Sequence, residues 1–234
     1  MTKLNVTLEE LLEAGAHYGH QSKRWNPKMA QYLYGVRDGV HIFDLVKTRE
    51  ALLTALTAIT EASKTGKSIL IVGTKKPAQT KVKELAEKTG ILYVTARWLG
   101  GTLTNFDQII RSVNKLSELQ KGLESGEFKH LTKKERLLIE RKANDLQKFF
   151  GGISGISRLP DLMIIIDTHH EASASREAKM TGIPVVGVLD SNSDPTGIDF
   201  PIPMNDDANK ALEFVLGLIE RALLEGKSND KNSS

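Results

Sequence analysis

The stretch Pro160–Asp194, PDLMIIIDTHHEASASREAKMTGIPVVGVLDSNSD, decides the fold. The apolar run Leu162–Ile166 ends in Asp167, and a second run, Val185–Leu189, ends in Asp190. Between them lies a helix-compatible segment with Ala172, Ala174 and Ala178, closed by Gly182 and followed by Pro184. Two unbroken apolar runs joined through a helix make a βαβ unit. Neither run alternates with polar residues, so both faces of the sheet are expected to be covered. The expectation is an α/β fold: a parallel sheet with helices on each side.

The same alternation extends outward. Ser68–Val72 and Ile91–Thr95 read as further strands, and Val40–Phe43 as a short one. Lys47–Ser63 reads as an amphipathic helix with Leu52, Leu56, Ile59 and Ala62 on one face. Val82–Lys88 reads as a helix ending at Gly90. Thr7 and Glu10 form a capping-box pattern that opens a short helix, Leu8–Ala14, stopped by Gly15. Phe200–Pro203, with its two prolines, is expected at a sheet edge. Asp206–Leu224 is expected to be the last helix, with Asp206 and Asp207 at its positive end. Residues 225–234 are expected to be a disordered tail.

Residues 105–150 break the alternation. Ile109, Val113, Leu116 and Leu123 recur at helical spacing, and a second start at Thr132-x-x-Glu135 leads into Ile139, Ala143, Leu146 and Phe150. Two such stripes with a short joint predict an inserted antiparallel coiled-coil hairpin. The expected plan is an α/β domain over 1–104 and 151–224, with the hairpin between.

Composition narrows the class of function. The chain has no cysteine, which excludes disulfides and thiolate chemistry, and a reducing compartment fits. No apolar run nears the ~20 residues needed to span a bilayer, and the N-terminus lacks the pattern of a signal peptide. The net charge is only +3, yet it is unevenly placed. Ala14–Arg37 and Ala62–Lys83 carry four and six Lys/Arg with no acid, whereas Pro160–Glu213 carries ten acids against three bases. Such polarity suits a basic face turned to a polyanion.

The N-terminal stretch AHYGHQSKRWNPKMAQYLYGVRDG reads as irregular, broken by Gly19, Pro27 and Gly35. It interleaves Lys23, Arg24, Lys28 and Arg37 with Tyr18, Trp25, Tyr32 and Tyr34. Cations hold phosphates, and rings stack on unpaired bases. Lys75 and Lys76 follow a strand and a glycine turn, a place for a phosphate contact, although the turn is not a P-loop. Arg97, in Arg-Trp-Leu-Gly-Gly, sits at a strand's C-terminal end, where ligand sites of open sheets gather. Arg158 adds a further basic contact. The candidate RNA-binding set is therefore Lys23, Arg24, Trp25, Lys28, Arg37, Lys75, Lys76, Arg97 and Arg158. No metal or cofactor is assigned.

A rival reading is enzymatic: Asp167, His169, His170 and Asp190 could form a metal-dependent phosphoesterase cluster at strand ends. His17 and His20 are a second conceivable metal pair. A nucleotide-binding module on the same fold is a third class, weakened by the missing glycine fingerprint.

The motifs Gly15-Ala-His-Tyr-Gly-His-Gln, Arg24-Trp-Asn-Pro-Lys-Met, Arg97-Trp-Leu-Gly-Gly-Thr-Leu-Thr-Asn-Phe, Leu159-Pro-Asp, Asp167–Glu171, Gly182-Ile-Pro, Asn192-Ser-Asp-Pro and Asn205-Asp-Asp-Ala follow one another along the chain. Together they resemble the ribosomal protein S2 family of the small subunit, in its bacterial or organellar branch. The resemblance implies a three-layer flavodoxin-like α/β fold with a coiled-coil insertion and no catalytic site. It also implies binding to small-subunit rRNA and neighbouring ribosomal proteins, including the large mRNA-binding one, in bacterial cytoplasm or an organelle and away from membranes. The chain departs from the family's usual residues at Thr102, Ser154 and Met204.

Overall fold

The computed structural model describes residues 5–230. In chain order the first elements are α1 (Leu8–Glu13), β1 (Tyr18–Gln21), β2 (Leu33–Arg37), β3 (Val40–Phe43), α2 (Leu45–Lys64), β4 (Ile69–Val72) and α3 (Lys76–Thr89). They are followed by β5 (Leu92–Val94), α4 (Phe106–Ser125), α5 (Lys133–Phe150), β6 (Leu162–Ile166), α6 (Ala172–Thr181), β7 (Val185–Leu189), β8 (Phe200–Pro203) and α7 (Asn209–Asp230).

The βαβ unit read from Pro160–Asp194 is β6-α6-β7, and it lies inside a five-stranded sheet of order β5-β4-β6-β7-β8. Every pairing in that sheet is parallel. Counted from β4, the order is the 2-1-3-4-5 of flavodoxin-like folds. All residues of β4, β6 and β7 are buried, which is why their sequences run apolar without alternation. The alternation exists in space. Ile69, Ile71, Ile164, Ile166 and Val188 face Leu52, Leu56, Val82, Val215 and Ile219 of α2, α3 and α7. Leu70, Val72, Met163, Ile165 and Val185 face Ile109, Val113, Phe150, Ala174 and Ala178 of α4, α5 and α6. Three layers result.

Helices α4 and α5 form the inserted hairpin. Thr132 caps α5 through the expected box: its hydroxyl accepts the Glu135 N–H, and the Glu135 carboxylate accepts the Thr132 N–H. The base of the hairpin is not separate from the rest, because Ile109, Val113, Leu116 and Phe150 belong to the second-face core. Toward its tip the seam thins, and Leu137 and Leu138 are exposed.

Three expectations are corrected. First, the stretch expected to be irregular folds into a second, antiparallel sheet of order β1-β3-β2. Asp38 and Gly39 join β2 to β3 with φ of 52° and 76°, a two-residue hairpin turn whose twist needs positive φ. Pro27 opens a 3₁₀ turn capped by the Asn26 side chain, and Gly35 lies within β2. Second, α3 begins at Lys76 rather than Val82, with Pro77 in its first turn. Third, α7 begins at Asn209, so Asp206 and Asp207 precede it, and it continues past Leu224. A Cβ on Gly226 would stand 2.5 Å from the Ser63 Cβ, so α7 touches α2 within the segment expected to be disordered. Lys227 donates to the Thr89 carbonyl at 2.5 Å. Of that expected tail, only residues 231–234 lie outside the described residues.

Candidate nucleic-acid interface

Because the five strands are parallel, their C-terminal ends share one edge of the sheet, the usual ligand edge of such folds. The antiparallel sheet is fastened over the β7 end of it. The Asn26 N–H donates to the Ser191 carbonyl at 2.8 Å, the His20 N–H to the Ser191 hydroxyl at 2.7 Å, and the Asn205 N–H to the Ala16 carbonyl at 3.0 Å. Gly19 permits this approach, since a Cβ there would lie 2.8 Å from the Ser191 hydroxyl. Met29, Phe43 and Leu189 form a small core beneath.

The crevice of this edge is filled by the chain's own charges. Lys75 Nζ lies 2.6 Å from Asp206, 3.0 Å from Asp167 and 2.5 Å from Asp207. Lys75 is only 19% exposed, and Asp206 1%. Burial works against the ammonium, but the carboxylates, Asp206 foremost, outweigh it and hold Lys75 charged above its ordinary range. Burial, together with the negative charges of Asp167 and Asp190, pushes the Asp206 carboxyl up to about 8. The expectation that Lys75 contacts phosphate does not fit this geometry: the side chain points into an acid cluster that the sequence had left unconnected. His20 joins the same edge, with Nδ1 2.9 Å from Asp190 and Nε2 3.5 Å from Asp207. Its hydrogen bond to Asp190 raises its pKa against burial.

Two further carboxylates reach the strand-end loops, Glu171 from the N-cap of α6 and Glu177 from within that helix. Glu171 accepts the Thr74 N–H at 3.0 Å, as well as the Thr74 hydroxyl. Glu177 accepts Trp98 Nε1–H at 3.1 Å and the N–H groups of Gly101, Leu103 and Thr104 at 2.8, 2.9 and 3.3 Å. Those bonds outweigh burial and lower the Glu177 pKa. Both acids are buried. The backbone donors of Thr74, Gly101, Leu103 and Thr104 are thus already satisfied from within.

The predicted cations separate into groups. Lys23, Arg24, Lys76 and Arg97 are exposed, and among the described residues none of the four forms an ion pair. Lys23 and Arg24 follow β1 in the turn fastened to Ser191; Lys76 and Arg97 follow β4 and β5 on the same edge. Arg37 is 85% exposed at the hairpin turn, with only Asp38 nearby at 3.9 Å. Lys28 is half-exposed and bonded to Asp194 at 2.8 Å, which holds that carboxyl down at about 2. Trp25 stacks on the buried His41 ring at 4.7 Å. Arg158 is not brought to this edge. It precedes β6, at the opposite end of the sheet, and its guanidinium grips both oxygens of Asp161 at 3.2 and 2.9 Å.

The phosphoesterase set does not converge. His169 and His170 are exposed, and Asp167 is held by Lys75 and by the His170 N–H. Among the described residues, the group able to share an ion is instead His20, Asp190 and Asp207, with ligand atoms within 4.8 Å of one another. One imidazole and two carboxylates are a donor set that suits zinc. His17, the other half of the conceived pair, is not in it.

The sequence profile of the family described as "Ribosomal protein S2" matches residues 11–226. The chain belongs to the ribosomal protein S2 family. "Small ribosomal subunit protein uS2" of Rhodospirillum centenum is 49% identical over 220 residues, covering 94% of this chain and 84% of its own. That of Coprothermobacter proteolyticus is 46% identical over 222 residues, covering 95% and 83%. "Small ribosomal subunit protein uS2c" of Rhodomonas salina is 47% identical over 229 residues, covering 98% and 94%. As an S2-family member the chain is a structural constituent of the small ribosomal subunit and not an enzyme, and the phosphoesterase reading is set aside. No helix among the described residues is long and apolar enough to cross a membrane.

Proposed function

We propose that this S2-family protein binds small-subunit rRNA through Lys23, Arg24, Lys76 and Arg97 at the C-terminal edge of the sheet. Arg37 and Lys28 extend the contact, and Trp25 gives it a fixed apolar shape. The observation that carries this reading is that these first four cations are exposed and without a carboxylate partner among the described residues, while Lys75 and Arg158 are spent internally. Phosphate contacts fix position, and an rRNA fold recognised by shape needs little more. The ribosome concerned is that of a bacterium or of an organelle with bacterial-type ribosomes.

A second surface supports a protein contact. Leu12, Tyr18, Tyr34 and Val36 are all exposed, Tyr34 at 83%, around a groove of about 640 Å³ on the antiparallel sheet. Exposed apolar residues gathered in this way mark a docking face. We assign it to a neighbouring ribosomal protein, the large mRNA-binding one being the partner implied by the family. The test of the RNA reading is the pair Arg24→Glu with Arg97→Glu. The variant is expected to fold but to incorporate poorly into small subunits; normal incorporation refutes the assignment.

A further inference from the structure

Glu177 is a buried charge that surface contact with RNA does not by itself require. It stands on α6, whose Ala174 and Ala178 are fully buried against the sheet, so the helix is a fixed support. Its carboxylate gathers four N–H donors from one short loop, from Trp98 to Thr104. Converging amides are the geometry with which loops bind anions from solution. Here the anion is part of the chain, and the loop is bound to α6 instead. Arg97 is adjacent to the first of those donors and is itself exposed.

We propose that Glu177 is a positioning residue for RNA binding: it holds the loop from Ala96 to Thr104 so that Arg97 meets rRNA in one prearranged conformation. The inference rests on the reading of Arg97 as an RNA contact. A loop ordered in advance does not lose conformational freedom on binding, and affinity rises accordingly.

A double-mutant cycle on the full chain tests it, with small ribosomal subunits washed free of this protein as the probe. Arg97→Ala is expected to weaken binding roughly tenfold, the scale of one charge-assisted hydrogen bond. Glu177→Gln turns an amide group toward donors that need an acceptor, so it should speed hydrogen exchange at Gly101 or Leu103 and weaken binding. In that background Arg97→Ala should cost clearly less than it does alone, because a misplaced guanidinium has less to lose. Additive losses, unchanged exchange, or unchanged affinity for Glu177→Gln would each overturn the proposal. If Arg97→Ala alone is harmless, the reading of Arg97 fails with Glu177 intact, and the positioning role falls with it. Should Glu177→Gln not fold, Trp98→Phe removes one donor and leaves the carboxylate. It is expected to reduce the Arg97→Ala loss, and additivity there overturns the proposal equally.

Discussion

Replacing Lys75 with Met removes the ammonium shared by Asp167, Asp206 and Asp207 while keeping a chain of similar length. Asp207 is 59% exposed and contributes little. Asp206, pushed up to about 8, holds its proton at neutral pH. The loss there is therefore that of the Asp167 contact at 3.0 Å, with Asp167 only 9% exposed. Breaking one buried pair costs about 3–5 kcal/mol, and the lower end applies because the cluster edge is partly wet. Against a domain stability of about 5–15 kcal/mol the variant should still fold. Above pH 8 the wild type releases the Asp206 proton and keeps the resulting carboxylate paired with Lys75. The variant, lacking the cation, holds that proton to higher pH. A carboxyl raised in the folded state contributes stability that is lost as pH rises through its folded value. In the variant that loss continues after the wild type has finished, by up to ~1.4 kcal/mol per pH unit. The deficit should then grow as pH rises above about 8. Urea unfolding at several pH values, with an unchanged denaturant slope, reads it directly. A deficit below about 1 kcal/mol, or one independent of pH, would refute the role of Lys75 as counter-ion and return it to the RNA contacts.

Other outcomes follow from single contacts. In an NMR titration His20 should titrate above its ordinary value because of Asp190, and His17 and His41 below theirs because of burial; Asp190→Asn should bring His20 down. Gly226→Ala should destabilise by about 1–3 kcal/mol despite alanine's helix propensity, because the new Cβ meets Ser63 and the Thr60 carbonyl. A neutral result in urea unfolding would mean that α7 does not reach α2 there. Arg158→Ala should leave binding to small subunits unchanged, since its guanidinium is engaged by Asp161 away from the other cations.

The sheet was legible because β6 and β7 are buried on both faces and bounded by Asp, Gly and Pro. The hairpin was legible because two apolar stripes run at helical spacing, the second opened by the Thr132–Glu135 capping box. In the antiparallel sheet β3 was legible as a short strand, but β1 and β2 were not, since each is only partly buried and carries a glycine within it, Gly19 and Gly35. One signal was present: Asp38-Gly39 between Val36-Arg37 and Val40, a dipeptide that two-residue hairpins favour. The site divided along a physical line. Residue type identifies cations, but it does not say which way a lysine points, and Lys75 and Lys76 are neighbours with opposite fates. What turns Lys75 inward is one aspartate just after β6 and two in the loop after β8, brought together only by the sheet order. Glu171 and Glu177 were hidden for the same reason: their partners lie 97 and between 73 and 79 positions away.

Binding of the full-length protein to small subunits lacking it, measured as a function of potassium chloride concentration, is the most direct test of the account. Each phosphate neutralised by a cation adds roughly 0.7–0.9 to the slope of log affinity on log salt. The wild type should show a steep slope, and Lys23→Ala, Arg24→Ala and Arg97→Ala combined one lower by about two to three. A shallow wild-type slope, or an equal slope in the triple variant, would contradict it.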